Sequence, residues 1–137
     1  MSKSIVRVAC GLLILCVIVV GLAGCKPSEP DYADQMVEST LQAIDEGDFA
    51  AYLEYFSPAA QSVITEEDFN TNVQLIKDNF GNYVDKEFWR TATENGYTGV
   101  HYKVTFSDTT EVLILSAYFE EIEGEMYISG FWLAPEG

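Results

Sequence analysis

The apolar residues that follow residue 30 recur at spacings of three and four, which is the repeat of one face of a helix. This pattern predicts three helices in the first half of the domain. The first is expected between Asp31, as its N-cap, and Gly47, and the third between Thr65 and Gly81. A short second helix is expected to end at residues 57–58. The three apolar faces consist of Ala33, Met36, Val37, Leu41 and Ile44; Phe49, Tyr52, Leu53 and Phe56; and Phe69, Val73, Ile76 and Phe80.

After Gly81 the pattern changes to the alternation that is typical of strands. Asn95 and Gly96 form the preferred dipeptide of a tight hairpin, and alternation places His101 on the polar side of its strand. Four antiparallel strands are predicted, over residues 83–94, 100–106, 112–119 and 126–133. Helices followed by a meander of strands predict an α+β domain, in which the N-terminal helices pack on one face of a curved four-stranded antiparallel sheet.

The first 24 residues differ from the rest and have the composition of a secretory signal peptide. A short basic start is followed by an uncharged apolar run over residues 8–24, and the run ends in Leu-Ala-Gly before Cys25. This order of basic, apolar and small residues is typical of a cleaved signal. An uncleaved membrane-spanning helix is the alternative, because about 17 residues are the lower limit for a span. The polar sequence KPSEP at residues 26–30 favours cleavage before the cysteine.

Cys25 is therefore predicted to be a lipidation site. The organisation that follows is a signal peptide over residues 1–24, a lipidated tether over residues 25–30 and one domain over residues 31–137. The protein is expected on the extracytoplasmic face of the cell membrane or of an outer membrane, anchored by acyl chains. The other two of the three cysteines precede the cleavage site, so the domain is expected to have no disulfide.

The charge of the mature part limits the kinds of partner. All 22 acidic residues and five of the seven basic ones follow residue 24, which gives a formal net charge of −17. Nucleic acid attracts basic surfaces, so it is excluded as a partner. Anionic lipid head groups are repelled as well, so attachment is expected through lipid on Cys25. A calcium ion or a cationic peptide stays open as a minor alternative.

The order of elements resembles the nuclear transport factor 2-like (cystatin-like) superfamily, and within it lipoproteins of unknown function. The resemblance covers nearly all of the domain. It rests on GDF at residues 47–49, FSP at 56–58, VITEE at 63–67, FGNY at 80–83 and ISGFWL at 128–133. It implies a bent sheet wrapped around a helix, with a pocket at the wide end of this cone. Some members of the superfamily are isomerases or dehydratases, and others bind ligands or partner proteins, so the fold does not decide the function.

An enzyme of the isomerase or dehydratase type would need a carboxylate base and a donor for an oxyanion. Asp85, Glu87 and Glu94 lie on the first predicted strand, and His101 is the one histidine. None of them stands in a recognisable catalytic pattern, and a solvated or hydrogen-bonded surface histidine is the simpler interpretation of His101. The sequence has neither metal-ligand spacing nor a phosphate-binding loop, so no cofactor and no metal are predicted.

A binding function is the preferred interpretation, and it rests on two pairs of adjacent aromatic residues. Phe88 precedes Trp89, and Phe131 precedes Trp132, so one member of each pair must point away from the core. We expect one tryptophan to be buried and Trp132 to be the more exposed of the two. Trp89, Arg90 and Trp132 are the candidate binding residues, with Arg90 placed to hold an acidic ligand. They predict a surface for a protein partner or a homodimer, whereas a small-ligand pocket and plain filling of the core are the alternatives.

Overall fold

The computed structural model describes residues 28–136, so the predicted signal peptide and the predicted lipidation site at Cys25 lie outside the described residues. The helices are α1 Asp31–Glu46, α2 Phe49–Leu53, α3 Pro58–Val63 and α4 Glu66–Phe80. The strands are β1 Tyr83–Glu94, β2 Tyr97–Phe106, β3 Leu113–Ile122 and β4 Glu125–Pro135. Within this part of the chain, no helix is both long enough and apolar enough to cross a membrane.

The predicted α+β class is confirmed. The four strands form one antiparallel sheet in the order β1-β2-β3-β4. Asn95 and Gly96 join β1 to β2 with φ angles of 52° and 83°, which is the left-handed pair that a two-residue hairpin requires. β3 runs three residues beyond its predicted end, because its pairing with β4 continues to the turn at residues 123–124, and β4 runs two residues beyond its predicted end, where Pro135 pairs with Leu113.

Helix α1 packs its apolar face on one face of the sheet, and the core lies between them. The predicted spacing of that face is confirmed, since Ala33, Val37 and Leu41 are buried. The prediction that Asp31 caps α1 is wrong: Asp31 is the first helical residue, and Pro30 precedes it without a side-chain cap. The buried core consists of Ala33, Met36, Val37, Leu41, Phe56, Val100, Tyr102, Val104, Phe106, Leu113, Leu115, Ala117, Phe119 and Ile128.

Helix α3 was not expected from the sequence. The Ser57-Pro58 step was predicted to end a helix, but it also begins one. Ser57 is the N-cap, and its Oγ accepts a hydrogen bond from the backbone N–H of Ala60 at 3.2 Å. Proline fits the first helical position because its missing N–H would have no intrahelical partner there. The three predicted helices are therefore four.

A β-bulge in β1 changes which faces its aromatic residues occupy. Phe88 pairs with Tyr102, and Arg90 pairs with His101, so Trp89 is one residue too many for the partner strand. Phe88 lies against the core, whereas Trp89 is exposed. A bulge inserts an unpaired residue and bends the strand. The side chains of Trp89 and Arg90 therefore come together on the face away from the helices. The Arg90 guanidinium carbon lies 4.3 Å from the Trp89 ring centroid.

Candidate functional site

An apolar cavity of about 490 Å³ lies between α4, the end of α1 and the sheet. It exists because α4 does not pack closely along its whole length. Phe69 is the buried residue of α4, and the rest of the predicted apolar stripe is half-buried. The apolar lining comes from Leu41, Ile44, Tyr52, Val63, Ile64, Phe69, Val73, Leu75, Ile76, Phe80, Phe106, Leu113, Phe131, Trp132, Leu133, Ala134 and Pro135.

One ion pair stands at the end of the cavity where α1 and α4 meet. Lys77 Nζ donates to Asp45 Oδ1 at 2.6 Å and to Asn82 Oδ1 at 2.7 Å, and the backbone N–H of Tyr83 donates to the same Asp45 oxygen at 3.0 Å. Burial alone would raise the pKa of Asp45, but the hydrogen bonds from Lys77 and Tyr83 and the charge of Lys77 outweigh burial, so its pKa is lowered. The carboxylate is held charged and is a weak base.

Tyr52 lines the cavity as part of an aromatic group. Its ring centroid lies 4.8 Å from that of Phe69 and 4.9 Å from that of Phe56. Burial raises the pKa of Tyr52 to about 12, so the hydroxyl is neutral at physiological pH and available as a hydrogen-bond donor. Tyr52 therefore adds one uncharged polar group to an apolar wall.

The three candidate binding residues lie on the other face of the sheet, which we call the open face. Trp89 is 40% exposed and Trp132 is 52% exposed. The expectation that one tryptophan is buried is therefore wrong, because Phe88 and Phe131 take the core-facing positions of both aromatic pairs. Trp132 is the more exposed of the two, as expected. Arg90 lies beside Trp89, while Phe88 and Phe131 pack toward the core.

Besides the contact of Arg90 with Trp89, aromatic rings of the open face contact each other and a lysine. Trp132 stacks on Tyr118, with ring centroids 4.8 Å apart and planes at 19°. The stack needs glycine beside it, since a Cβ added to Gly130 would lie 2.9 Å from the Trp132 ring. Lys103 Nζ lies 5.5 Å from the Trp89 ring centroid, on the opposite strand from the bulge. The open face thus joins exposed aromatic rings to two basic side chains.

His101 also lies on the open face, but it is not a solvated residue. It is 7% exposed, and its Nδ1 lies 2.9 Å from Ser116 Oγ. Burial, together with the positive charge of Arg90, lowers the pKa of His101. Of the two expected states, a solvated or a hydrogen-bonded surface histidine, the ring is hydrogen-bonded but not at the surface, and the Tyr118 ring centroid lies 6.0 Å away.

The carboxylates that the sequence offered as possible bases are not in the cavity. Asp85, Glu87 and Glu94 are exposed on β1, an edge strand of the sheet. Within residues 28–136, no group of three or more His, Cys, Asp and Glu side chains is arranged to hold a metal ion. The structure therefore does not bring the predicted carboxylates together with a tyrosine in the cavity.

Sequence analysis missed the ion pair of Asp45 and Lys77, although both residues carry a signal. Lys77 lies four residues after Val73 and three before Phe80, so it interrupts an apolar stripe. Asp45 lies in the last turn of α1, where the helix dipole disfavours an acid. Two charges in unfavourable helical positions indicate that each has a partner in the fold.

A family described as a protein of unknown function (DUF3887) matches residues 37–131. No curated protein matches the chain. Among solved structures, a SEC-C motif containing protein from Rhodopseudomonas palustris is 12% identical, with 73% of this chain and 77% of that chain covered and a TM-score of 0.54. This likeness concerns the fold alone.

Two further solved structures are similar at lower TM-scores. Bd1075 from Bdellovibrio bacteriovorus is 12% identical, with 75% of this chain and 39% of that chain covered and a TM-score of 0.46. An NTF-2 like protein of unknown function from Burkholderia xenovorans LB400 is 18% identical, with 74% of this chain and 86% of that chain covered and a TM-score of 0.38.

Proposed function

The chain belongs to the DUF3887 family of proteins of unknown function, and we propose that its domain is a binding module that takes an apolar ligand into the cavity beneath α4. The cavity itself supports this proposal. A volume of about 490 Å³ is within the range of small-molecule sites, which are concave, mostly apolar and furnished with a few polar groups. Tyr52 and the pair of Asp45 and Lys77 supply those polar groups.

The charges around the cavity favour a ligand without negative charge. The charged side chains that line it are Asp45, Asp68 and Lys77, and Lys77 is already neutralised by Asp45. Asp68 adds a negative charge at the rim, and the region after residue 24 carries a formal net charge of −17. A neutral or cationic apolar ligand therefore meets no repulsion, whereas an anionic one does.

This cavity is a less suitable site for isomerase or dehydratase chemistry. A general base must be free to accept a proton and works best with a pKa near the operating pH. Asp45 has a lowered pKa, and its Oδ1 already accepts two hydrogen bonds. Binding is therefore favoured over the enzymatic alternative.

A cavity-filling variant tests the proposed binding. Val73 lines the cavity from the middle of α4, so Val73→Trp should fill it and weaken the binding of the neutral apolar dye N-phenyl-1-naphthylamine. Asn70→Trp is the matched control, because Asn70 is exposed on the same helix. Residues 26–137 without lipid are used, so that the dye does not partition into a membrane. Equal dye affinity in both variants would contradict binding in the cavity.

We propose further that the module is held at the outer surface of a membrane by lipid on Cys25. Support comes from the basic, apolar and small residues that precede this cysteine and from the polar residues 26–30 that follow it. Labelled fatty acid is expected to be incorporated into the expressed protein, and Cys25→Ser is expected to abolish both the label and the cleavage after residue 24. Normal labelling and cleavage of the serine variant would contradict the proposal.

The open face supports a second candidate function, which is the capture of a protein partner or of a second copy of the chain. Trp89 and Trp132 are exposed on one face together with Arg90, and interfaces are enriched in aromatic residues and arginine. Trp89 and Arg90 lie away from the cavity, whereas Trp132 also lines it at the edge of β4, so the two sites meet at that residue.

A further inference from the structure

We propose that the ligand of the cavity is a peptide segment in extended conformation, which pairs with the free edge of β4 and inserts alternate apolar side chains beneath α4. This inference rests on the proposed function of the cavity, and it specifies the chemical class of the ligand. It follows from three features of the same region: free main-chain groups, an existing contact of the same kind and the path of the cavity.

β4 is an edge strand, so one side of its main chain has no neighbouring strand. The backbone N–H of Glu136 donates to the carbonyl of Val112, its direct neighbour across β3 and β4. In an antiparallel pair, hydrogen-bonded positions alternate with positions whose main-chain groups point away. Phe131 and Leu133 are therefore the residues whose N–H and C=O groups point out of the sheet, and none of these groups is bonded to another element within residues 28–136.

The same edge already holds one stretch of extended chain. The backbone N–H of Ile128 donates to the carbonyl of Tyr55 at 2.8 Å, and the backbone N–H of Ser57 donates to the carbonyl of Ile128 at 2.9 Å. The paired segment runs parallel to β4 and then leaves the edge as α3 begins at Pro58. Beyond Ile128, no further main-chain hydrogen bond within residues 28–136 is made to this edge, which is thus competent for pairing.

The cavity reaches this edge. Five consecutive residues of β4, 131–135, line the cavity, although alternate side chains of a strand point to opposite faces. The cavity therefore extends past the core-facing side chains of Phe131 and Leu133 to the main chain. A strand added there would direct every second side chain into the cavity, and such addition to a sheet edge is a common mode of peptide recognition.

The helices that line the cavity present apolar side chains that such a peptide would cover. Val63 at the end of α3 is 74% exposed, and Leu75 on α4 is 54% exposed. Both line the cavity. Because the region after residue 24 has a formal net charge of −17, the partner is a peptide with alternating apolar residues and without net negative charge.

The test uses the full chain in lipid nanodiscs and a panel of fluorescein-labelled seven-residue peptides, in which valine or leucine alternates with lysine or threonine. Fluorescence anisotropy measures binding, with empty nanodiscs as the blank. At least one peptide is expected to bind. Its affinity should fall about ten-fold or more when the amides on one edge of the peptide are N-methylated, because main-chain hydrogen bonds are lost. N-methylation requires no change to the protein, so this arm is independent of any folding defect.

A variant pair tests the edge from the protein side. Leu133→Pro removes an N–H group that points out of the sheet, where proline is tolerated, whereas Leu133→Ala removes the side chain and keeps the N–H. We expect Leu133→Pro to bind the peptide about ten-fold more weakly than Leu133→Ala. Equal affinity of the two variants, or no loss on N-methylation, would overturn the inference.

The outcomes separate this inference from the function on which it rests. If N-phenyl-1-naphthylamine binds and Val73→Trp weakens it, but no peptide of the panel binds, the peptide inference is wrong and the apolar cavity still has its function. If neither dye nor peptide binds, both are wrong. If peptides bind equally well to wild type and to Val73→Trp, the peptide site is not the cavity, and the inference is overturned.

Discussion

Replacement of each exposed tryptophan distinguishes a binding surface from a structural one on the open face. Trp132 is 52% exposed, so about 120 Å² of the roughly 250 Å² that a tryptophan offers is removed from water. At about 25 cal/mol per Å² this corresponds to at most about 3 kcal/mol. The unfolded chain also buries part of this area, and alanine retains some contact. We therefore expect Trp132→Ala to lower the free energy of unfolding by about 1–2 kcal/mol.

Trp89, at 40% exposed, should give a slightly larger loss, of about 2 kcal/mol. Both values lie below the roughly 3–5 kcal/mol that follows loss of a buried tryptophan. If the open face is an interface, each variant should also weaken self-association or partner capture by about 2 kcal/mol or more, which is near thirty-fold in Kd. Tyr97→Ala is the matched control, because Tyr97 is 39% exposed at the hairpin end of the sheet.

Urea unfolding measures the stability of each variant, and sedimentation velocity over a range of concentrations measures self-association. A loss of about 4 kcal/mol or more in either tryptophan variant would refute the burial argument, because that is the cost of a core residue. A loss of stability as expected, with association equal to that of wild type and of Tyr97→Ala, would refute the proposed homodimer surface and leave a different protein as the candidate partner.

Two further predictions concern His101 and Gly81. Because the pKa of His101 is lowered in the fold, the unfolded chain binds the proton first. Stability is therefore lost as the pH falls through about 6.5, by at most about 1.4 kcal/mol per pH unit. Urea unfolding at pH 7.5 and 5.5 should show a smaller loss of stability for His101→Gln than for wild type, and an equal loss would contradict this prediction. Gly81 has φ 86° and ψ −142°, and a Cβ there would lie 2.5 Å from side-chain atoms of Asp108 and Ser107. Gly81→Ala should therefore lower the free energy of unfolding by about 3 kcal/mol, whereas Gly47→Ala, in open left-handed geometry, should lower it by about 1 kcal/mol. Similar losses in both variants would contradict the steric argument.

Local patterns predicted most of the fold because they report on single elements. The apolar spacing of α1 gave its buried face, and Asn95-Gly96 gave the hairpin with its left-handed φ angles. Helix α3 was missed because Ser-Pro is compatible with both the end and the start of a helix. What decides between them is the hydrogen bond from the Ala60 N–H to Ser57, together with the pairing of Ser57 with Ile128 across the molecule. The second contact is not local, so sequence spacing does not reveal it.

The face of Arg90 illustrates a second limit. Strict alternation assigns each residue of β1 to one face, but a single extra residue changes the assignment for the rest of the strand. The bulge at Trp89 arises from pairing with β2, where Phe88 must lie opposite Tyr102 and Arg90 opposite His101. The sequence of β1 alone does not contain that register. Trp89 and Arg90 remain predicted binding residues, and their common exposure on one face follows from the pairing.

The cavity could not be predicted from the stripe of α4, because a stripe gives the face that points to the sheet and not its distance from the sheet. That distance is fixed at the two ends of the helix. Phe69 near the start is buried, with its ring centroid 5.4 Å from that of Phe49 and 4.8 Å from that of Tyr52. Lys77 near the other end is bound to Asp45 and Asn82.

Collapse of α4 onto the sheet would close the cavity, and the positions of these two contacts oppose it. Moving the helix inward would take Lys77 and Asp45 further out of water, and desolvation of such a pair can exceed the gain from its attraction. The turn after α4 resists the same movement, since the backbone N–H of Asp108 donates to the carbonyl of Phe80 at 2.9 Å, and that of Ser107 to the carbonyl of Asn82 at 2.8 Å. Helix α4 is thus fixed at both ends and spans an apolar space, with half-buried Val73 and Ile76 in between. A ligand that fills this space would bury the apolar surface of these side chains, which the protein alone leaves partly exposed.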